Sequence, residues 1–209
     1  MLKKILLAIL AVPAALFVTG FLVSLVSGGA KNQTSLPNEN HRSPRIEKQA
    51  TDAPSLPSDE ETFVSTIKSS QVPYKDAPNE LKKSALRSGR ASSIRTALNG
   101  KRKFTNWIGK LESMSTTSDG HAVVSVSIAD DLHLKTWNNA VSDVGDKTLI
   151  HQDNPMYSVI SELKEGTTVR FSGEFLPSKQ DFVKEGSISE EGSMTDPEFI
   201  VRFSSIEPN

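Results

Sequence analysis

Cysteine is absent from the 209 residues. That excludes disulfides, thiolate metal centres and cysteine nucleophiles, and it closes the lipobox route to a lipid anchor. Histidine is scarce: His41, His121, His133 and His151 are the full set, and none has ligand-pair spacing. His121 and His133 are the two that a hairpin would bring together, yet ordinary surface positions are the simpler reading. Asp143, Asp146 and Asp153 share one acidic loop without the spacing of a calcium loop. No Gly-x-Ser-x-Gly, P-loop or dinucleotide fingerprint occurs. Catalytic residues, metal and cofactor are therefore all expected to be none. An enzyme of unrecognised class, using dispersed serines and carboxylates, stays as an alternative.

Apolar residues make up 36% of the chain, low for a globular protein, and part of that sits in one N-terminal run. Residues 5–26 (ILLAILAVPAALFVTGFLVSLV) carry no charge over 22 positions. As a helix they would reach roughly 33 Å, enough for a bilayer core of about 30 Å. Lys3 and Lys4 make residues 1–4 a basic N-terminus, and the next basic residue is Lys31. The positive-inside tendency then leaves the N-terminus in the cytoplasm and the remainder periplasmic or extracellular. Two other readings stand beside this single-pass anchor. One is a secreted protein cleaved near the small residues at 27–30; the other is a cytoplasm-facing domain. Residues 27–57 form a linker rich in Asn, Ser, Pro and charge, too poor in apolar side chains to offset its ordering entropy.

The net charge of -1 conceals an asymmetry. Residues 31–103 balance to +6 and residues 104–209 to -9. Short helices are expected over 58–103. The first opens at a Ser58/Glu61 capping box and breaks before Pro73. The second runs from about Pro78 to Leu98 and stops at Asn99-Gly100. From Leu81 onward it bears Lys82, Lys83, Arg87, Arg90 and Arg95, followed by Lys101, Arg102 and Lys103, with no acid among them. This basic patch reads either as a site for nucleic acid or an anionic surface, or as a solvated face whose charges dock on the acidic domain behind it.

Residues 104–209 change to a period of two. FTNWIGKLESM places Trp107, Gly109 and Leu111 on one face, and HAVVSVSIAD places Ala122, Val124, Val126 and Ile128 on another. LHLKTWNN follows with Leu132 and Leu134 inward. A helix then starts with Asn154 as N-cap and Pro155 at its first position. LKEGTTVRFSGEF supplies a fourth strand with Val169, Phe171, Gly173 and Phe175 inward, and EFIVRFSSI the last, with a minor strand near Gly186. Whether Ser172-Gly173 and the outward Arg170 answer to a ligand or to barrel geometry is open at this level. The order of elements is that of a mainly β, OB-like five-stranded barrel with one helix between strands three and four. An SH3-like barrel or an open α+β sheet fits nearly as well.

The segments NELKKSALRSGRASSI, NWIGKL, SDGHAVVSVSIAD, LKTWNNAVSDVGDKTLI, LKEGTTVRFSGEF and GSMTDPEFIVRFSSI resemble a bacterial OB-like domain family found in membrane-anchored or zinc-ribbon-bearing proteins. The resemblance covers about residues 79–206 and rests on turns and core positions. It implies the barrel and a helix before the first strand, and it brings no catalytic residues. Without cysteine, a zinc ribbon is excluded.

An OB-type barrel binds through the outward face of strands two and three and the flanking loops. The candidates there are Ser125, Ser127, His133, Lys135, Trp137, Asn138 and Asn139, with Arg170 and Arg202 on later strands. Trp137 and its two amides suit stacking on a sugar, peptide or base, unless the ring simply covers the barrel end. The expectation is a membrane-anchored, non-catalytic binding module of the bacterial envelope for a protein or small envelope ligand. Nucleic acid is disfavoured by the -9 balance of the domain.

Overall fold

The computed structural model describes residues 55–209. The chain enters through two 18-residue helices, α1 (Ser58–Lys75) and α2 (Glu80–Ala97). The barrel strands are β1 (Lys103–Thr116), β2 (Ala122–Ala129), β3 (Leu132–Lys135), β4 (Thr168–Phe175) and, at the C-terminal end, β7 (Glu198–Pro208). Helix α3 (Pro155–Ser161) lies between β3 and β4, while the hairpin β5 (Pro177–Ser178)–β6 (Phe182–Val183) and helix α4 (Glu190–Thr195) fill the connection to β7. The five long strands close in the order β1-β2-β3-β7-β4. All pairings are antiparallel except β3 with β7, where His133 stands opposite Glu198 and Leu134 opposite Phe199. This is a closed, mixed five-stranded barrel consistent with an OB-like fold.

Two irregularities explain why the first strand does not alternate strictly. Between Phe104 and Trp107 the register with β4 slips, and Asn106 adopts a left-handed φ of 59°. The bulge brings Phe104 and Trp107 to the same side at a spacing of three, both buried. The displaced Asn106 amide donates to Ser172 Oγ at 3.0 Å. Opposite it, the β4–β7 register slips between Ser172 and Gly173. A Cβ on Gly173 would lie 2.6 Å from the Arg202 carbonyl oxygen and 2.8 Å from the Phe104 ring. Strand geometry therefore accounts for the Ser172-Gly173 pair: the serine satisfies a bulged amide, and the glycine admits two close neighbours.

Phe63 of α1 enters the barrel core, with ring centroids 5.3 Å from Trp107, 5.0 Å from Phe175 and 5.4 Å from Phe199. Such aromatic contacts fasten the helical hairpin to the barrel through apolar burial. The first turn of α1 does not use its expected capping box; Pro57 is the cap residue, with no side-chain hydrogen bond. The acids beside Ser58 reach the barrel instead. Asp59 accepts from Trp107 Nε1 at 3.0 Å and Glu60 from the Ile108 amide at 2.8 Å.

The expected break before Pro73 does not occur, because Pro73 stands in the last turn and removes only one exposed hydrogen bond. The helix continues two residues to bury Tyr74, whose hydroxyl lies 3.2 Å from Glu190. Helix α2 begins at Asn79, which accepts from the Lys82 amide at 3.0 Å. Asn154 caps α3, with Pro155 in its first turn. The minor strand expected near Gly186 is reduced to a single antiparallel bridge between Glu185 and Phe199, with β5–β6 upstream and α4 downstream. Ser189 caps α4, but tertiary contacts from Gln71, Tyr74 and Arg90 hold it in place. The span expected over residues 5–26 lies outside the described residues; among the described ones, no helix is long and apolar enough to cross a membrane.

Candidate functional site

Strands β2 and β3 bring four of the expected residues into one outward patch. Ser125 pairs with Lys135 and Ser127 with His133 in the ladder. Inward Val124, Val126, Leu132 and Leu134 are buried on the opposite face, which fixes the orientation of these side chains. Three acids from neighbouring elements complete the patch. Glu112 of β1 accepts from Ser125 Oγ at 2.8 Å and lies 2.9 Å from His133 Nδ1. That second approach is off the hydrogen-bond direction, so Nδ1 has no hydrogen-bond partner among the described residues. Asp196, just after α4, lies 3.2 Å from His133 Nε2. Glu198 at the start of β7 accepts from Lys135 Nζ at 2.9 Å. Ser127 turns back to the Ala129 carbonyl oxygen at 2.7 Å. Against the single lysine, three carboxylates make the patch acidic.

Trp137 leaves this face because β3 ends at Lys135. Its amide donates to Thr148 Oγ1 at 2.8 Å and its indole Nε1 to Asp146 Oδ2 at 2.8 Å. Lys184 Nζ approaches the same Asp146 oxygen at 2.6 Å and stands 6.0 Å from the Trp137 ring centroid. Burial raises the Asp146 carboxyl, but the hydrogen bonds from Lys184 and Trp137 hold it below its ordinary value. Arg202 closes the same loop from β7, donating to the carbonyl oxygens of Asp146 at 2.5 Å and Lys147 at 3.2 Å. Asp143 accepts from the Thr148 amide and hydroxyl at 2.6 and 2.7 Å. Asn138 and Asn139 are exposed, but their side chains bond each other and the Ser142 amide. The tryptophan group is thus the anchored base of a well-braced loop, half-buried rather than an open stacking platform.

The basic patch is drawn largely into the domain. Arg87 forms a two-pronged contact with Asp181, 2.8 Å from each oxygen, and a third bond to Glu190 at 3.0 Å. Lys83 pairs with Glu191 at 3.3 Å. Arg90 is buried and donates to the Ser193 carbonyl oxygen, while its Nε and Nη2 have no partner among the described residues. Desolvation lowers the Arg90 pKa. Arg95 and Arg102 lie over the Phe182 ring, at 4.5 and 5.6 Å from its centroid. Lys82, Lys101 and Lys103 are exposed. Arg170 points outward, donating to Asn209 at 2.7 Å.

The histidines meet in a combination other than the one expected: His121 stacks on His151 with centroids 3.9 Å apart. Among the described residues, no group of three or more potential ligands could hold a metal ion. Sequence alternation had a signal for Glu112, outward beside inward Leu111, and for Glu198 beside Phe199. Asp196 and Asp146 had none, since only tertiary packing brings them to His133 and Trp137.

The fold and this patch define a small closed-barrel protein with a helical hairpin and an acidic outer β2–β3 face. No family model, curated protein or solved structure matches the chain.

Proposed function

We propose that the chain is a membrane-anchored, non-catalytic OB-like binding module of the bacterial envelope, recognising a protein or small ligand through the outward β2–β3 face. The convergence of Ser125, Ser127, His133 and Lys135 with Glu112, Asp196 and Glu198 carries this reading. Barrels of this topology bind on that face, and its acidic balance favours basic or hydrogen-bond-donating groups in the partner. The 22-residue uncharged run supports the anchor, and the resemblance supports the bacterial envelope setting. Against a phosphate-binding role stand the -9 balance of residues 104–209 and the engagement of Arg87, Arg90 and Lys83 within the domain.

The test places a photo-crosslinking residue at Ser125 and, as a control, at exposed Ser88, in full-length protein in its native membranes. A discrete adduct at Ser125 that weakens at least tenfold on Glu198→Lys is expected. An adduct insensitive to that reversal, or the same adduct at both positions, would refute the face. A fused reporter active only in the cytoplasm would refute the orientation.

A further inference from the structure

We propose that Glu60 is a pH-sensitive latch: neutral, it holds the first turns of α1 against β1, and ionised, it withdraws and frees them. Glu60 is 0% exposed, although it stands in the first turn of a helix at the outer layer of the domain. Its Oε2 accepts from the Ile108 amide at 2.8 Å, whereas Oε1 is buried with no partner among the described residues. A carboxylate in that position leaves half its charge without a donor, which favours the neutral acid. The free amides of a helix N-terminus favour the ionised form, so the two effects oppose each other.

The groups that face Glu60 do not supply the missing cation. On α1 its neighbour is Asp59, whose own carboxylate accepts from Trp107 Nε1. From β1 come the Trp107 indole and the Ile108 amide, both uncharged. Across from the start of α1 stand Ser92, Ser93 and Thr96 of α2, with Asn99 just past its end, again uncharged. The acids of α4, Glu190 and Glu191, engage Tyr74, Lys83 and Arg87 toward the opposite end of α1. Among the described residues, no Lys, Arg or His pairs with Glu60.

Burial raises the Glu60 pKa from 4.5 to about 7; the Ile108 bond opposes the rise and Asp59 adds to it. The folded form thus keeps a proton that the released form gives up between these values. The holding effect is complete below about 4.5 and is lost as pH rises through about 7. Beside the latch, a cleft of about 620 Å³ between α1 and α2 is lined by Asp59, Thr62, Thr66 and the α2 hydroxyls. Glu60 does not line that cleft, so its ionised carboxylate reaches water only as the first turn of α1 lifts from β1. Phe63, one turn further, is the first apolar anchor that release would disturb.

Hydrogen exchange on full-length protein in detergent, corrected for intrinsic chemistry, tests this over pH 5.5–8.5 for wild type and Glu60→Gln. From the two pKa values, opening of segments 58–67 and 103–112 in wild type should rise about 30-fold across that range. In Glu60→Gln, which cannot ionise, opening should be independent of pH, and β4 and β7 should not respond in either protein. An equal rise in both proteins, or a rise shared evenly by β4 and β7, overturns the latch. Direct carbon-13 titration of the Glu60 carboxyl decides the matter if the variant does not fold: a midpoint below 5.5 overturns it, and one near 7 supports it.

Discussion

Replacing Arg87 with alanine tests how α2 is held, and the structure sets the magnitude. The guanidinium contacts both oxygens of Asp181 at 2.8 Å and Glu190 at 3.0 Å. The Asp181 side chain is 9% exposed and that of Arg87 22%, so the pair is largely shielded from solvent. The hydrogen bonds to Asp181 lead in raising the Arg87 pKa, against the desolvation that lowers it. Removing one member of a buried pair costs about 3–5 kcal/mol, because the survivor stays buried without its counter-charge. The residual exposure reduces this to about 2–4 kcal/mol. Arg87→Lys retains the charge but loses the two-pronged geometry, and should cost about 1 kcal/mol. Replacing both members by apolar residues, Arg87→Met with Asp181→Leu, should recover most of the loss. Urea denaturation of the full chain, followed by circular dichroism, reads all four proteins. A loss below 0.5 kcal/mol for Arg87→Ala would refute the pairing argument. So would a double variant no more stable than the single one.

Two further changes probe the barrel and its braced loop. Gly173→Ala forces a methyl toward the Arg202 carbonyl oxygen and the Phe104 ring, and should cost about 1–3 kcal/mol in the same denaturation assay. An unchanged midpoint would show that β4 and β7 can separate freely there. Asp143→Ala strips acceptors from the Thr148 amide and hydroxyl, a cost of about 1–3 kcal/mol. Because Thr148 in turn holds the Trp137 amide, tryptophan emission should shift to the red while Trp107 remains buried; unaltered emission would count against the brace.

Much of the barrel was legible in local pattern. Val124, Val126, Leu132 and Leu134 alternate with Ser125, Ser127, His133 and Lys135, and a period of two commits each set to one face. Asn154-Pro155 announced α3 because a capping side chain and a fixed φ act within a few residues. The Asn106 bulge was not legible, since its cause is partly Ser172, 66 residues away. Helix α4 was missed for the same reason: six residues with an interior glycine have little propensity of their own, and bonds from Gln71, Tyr74 and Arg90 hold them.

By itself, the sequence determined the order of strands and helix, the acidic balance of the barrel and the outward direction of the β2–β3 residues. These follow from periodicity, capping and charge, which are properties of neighbours along the chain. Tertiary structure alone decided where charge is spent. It folded Arg87 and Arg90 inward, turned Trp137 onto Asp146, and placed Glu60 against a backbone amide with one oxygen left unpaired. Ion pairing and desolvation depend on distance in space, and no spacing along the chain encodes that.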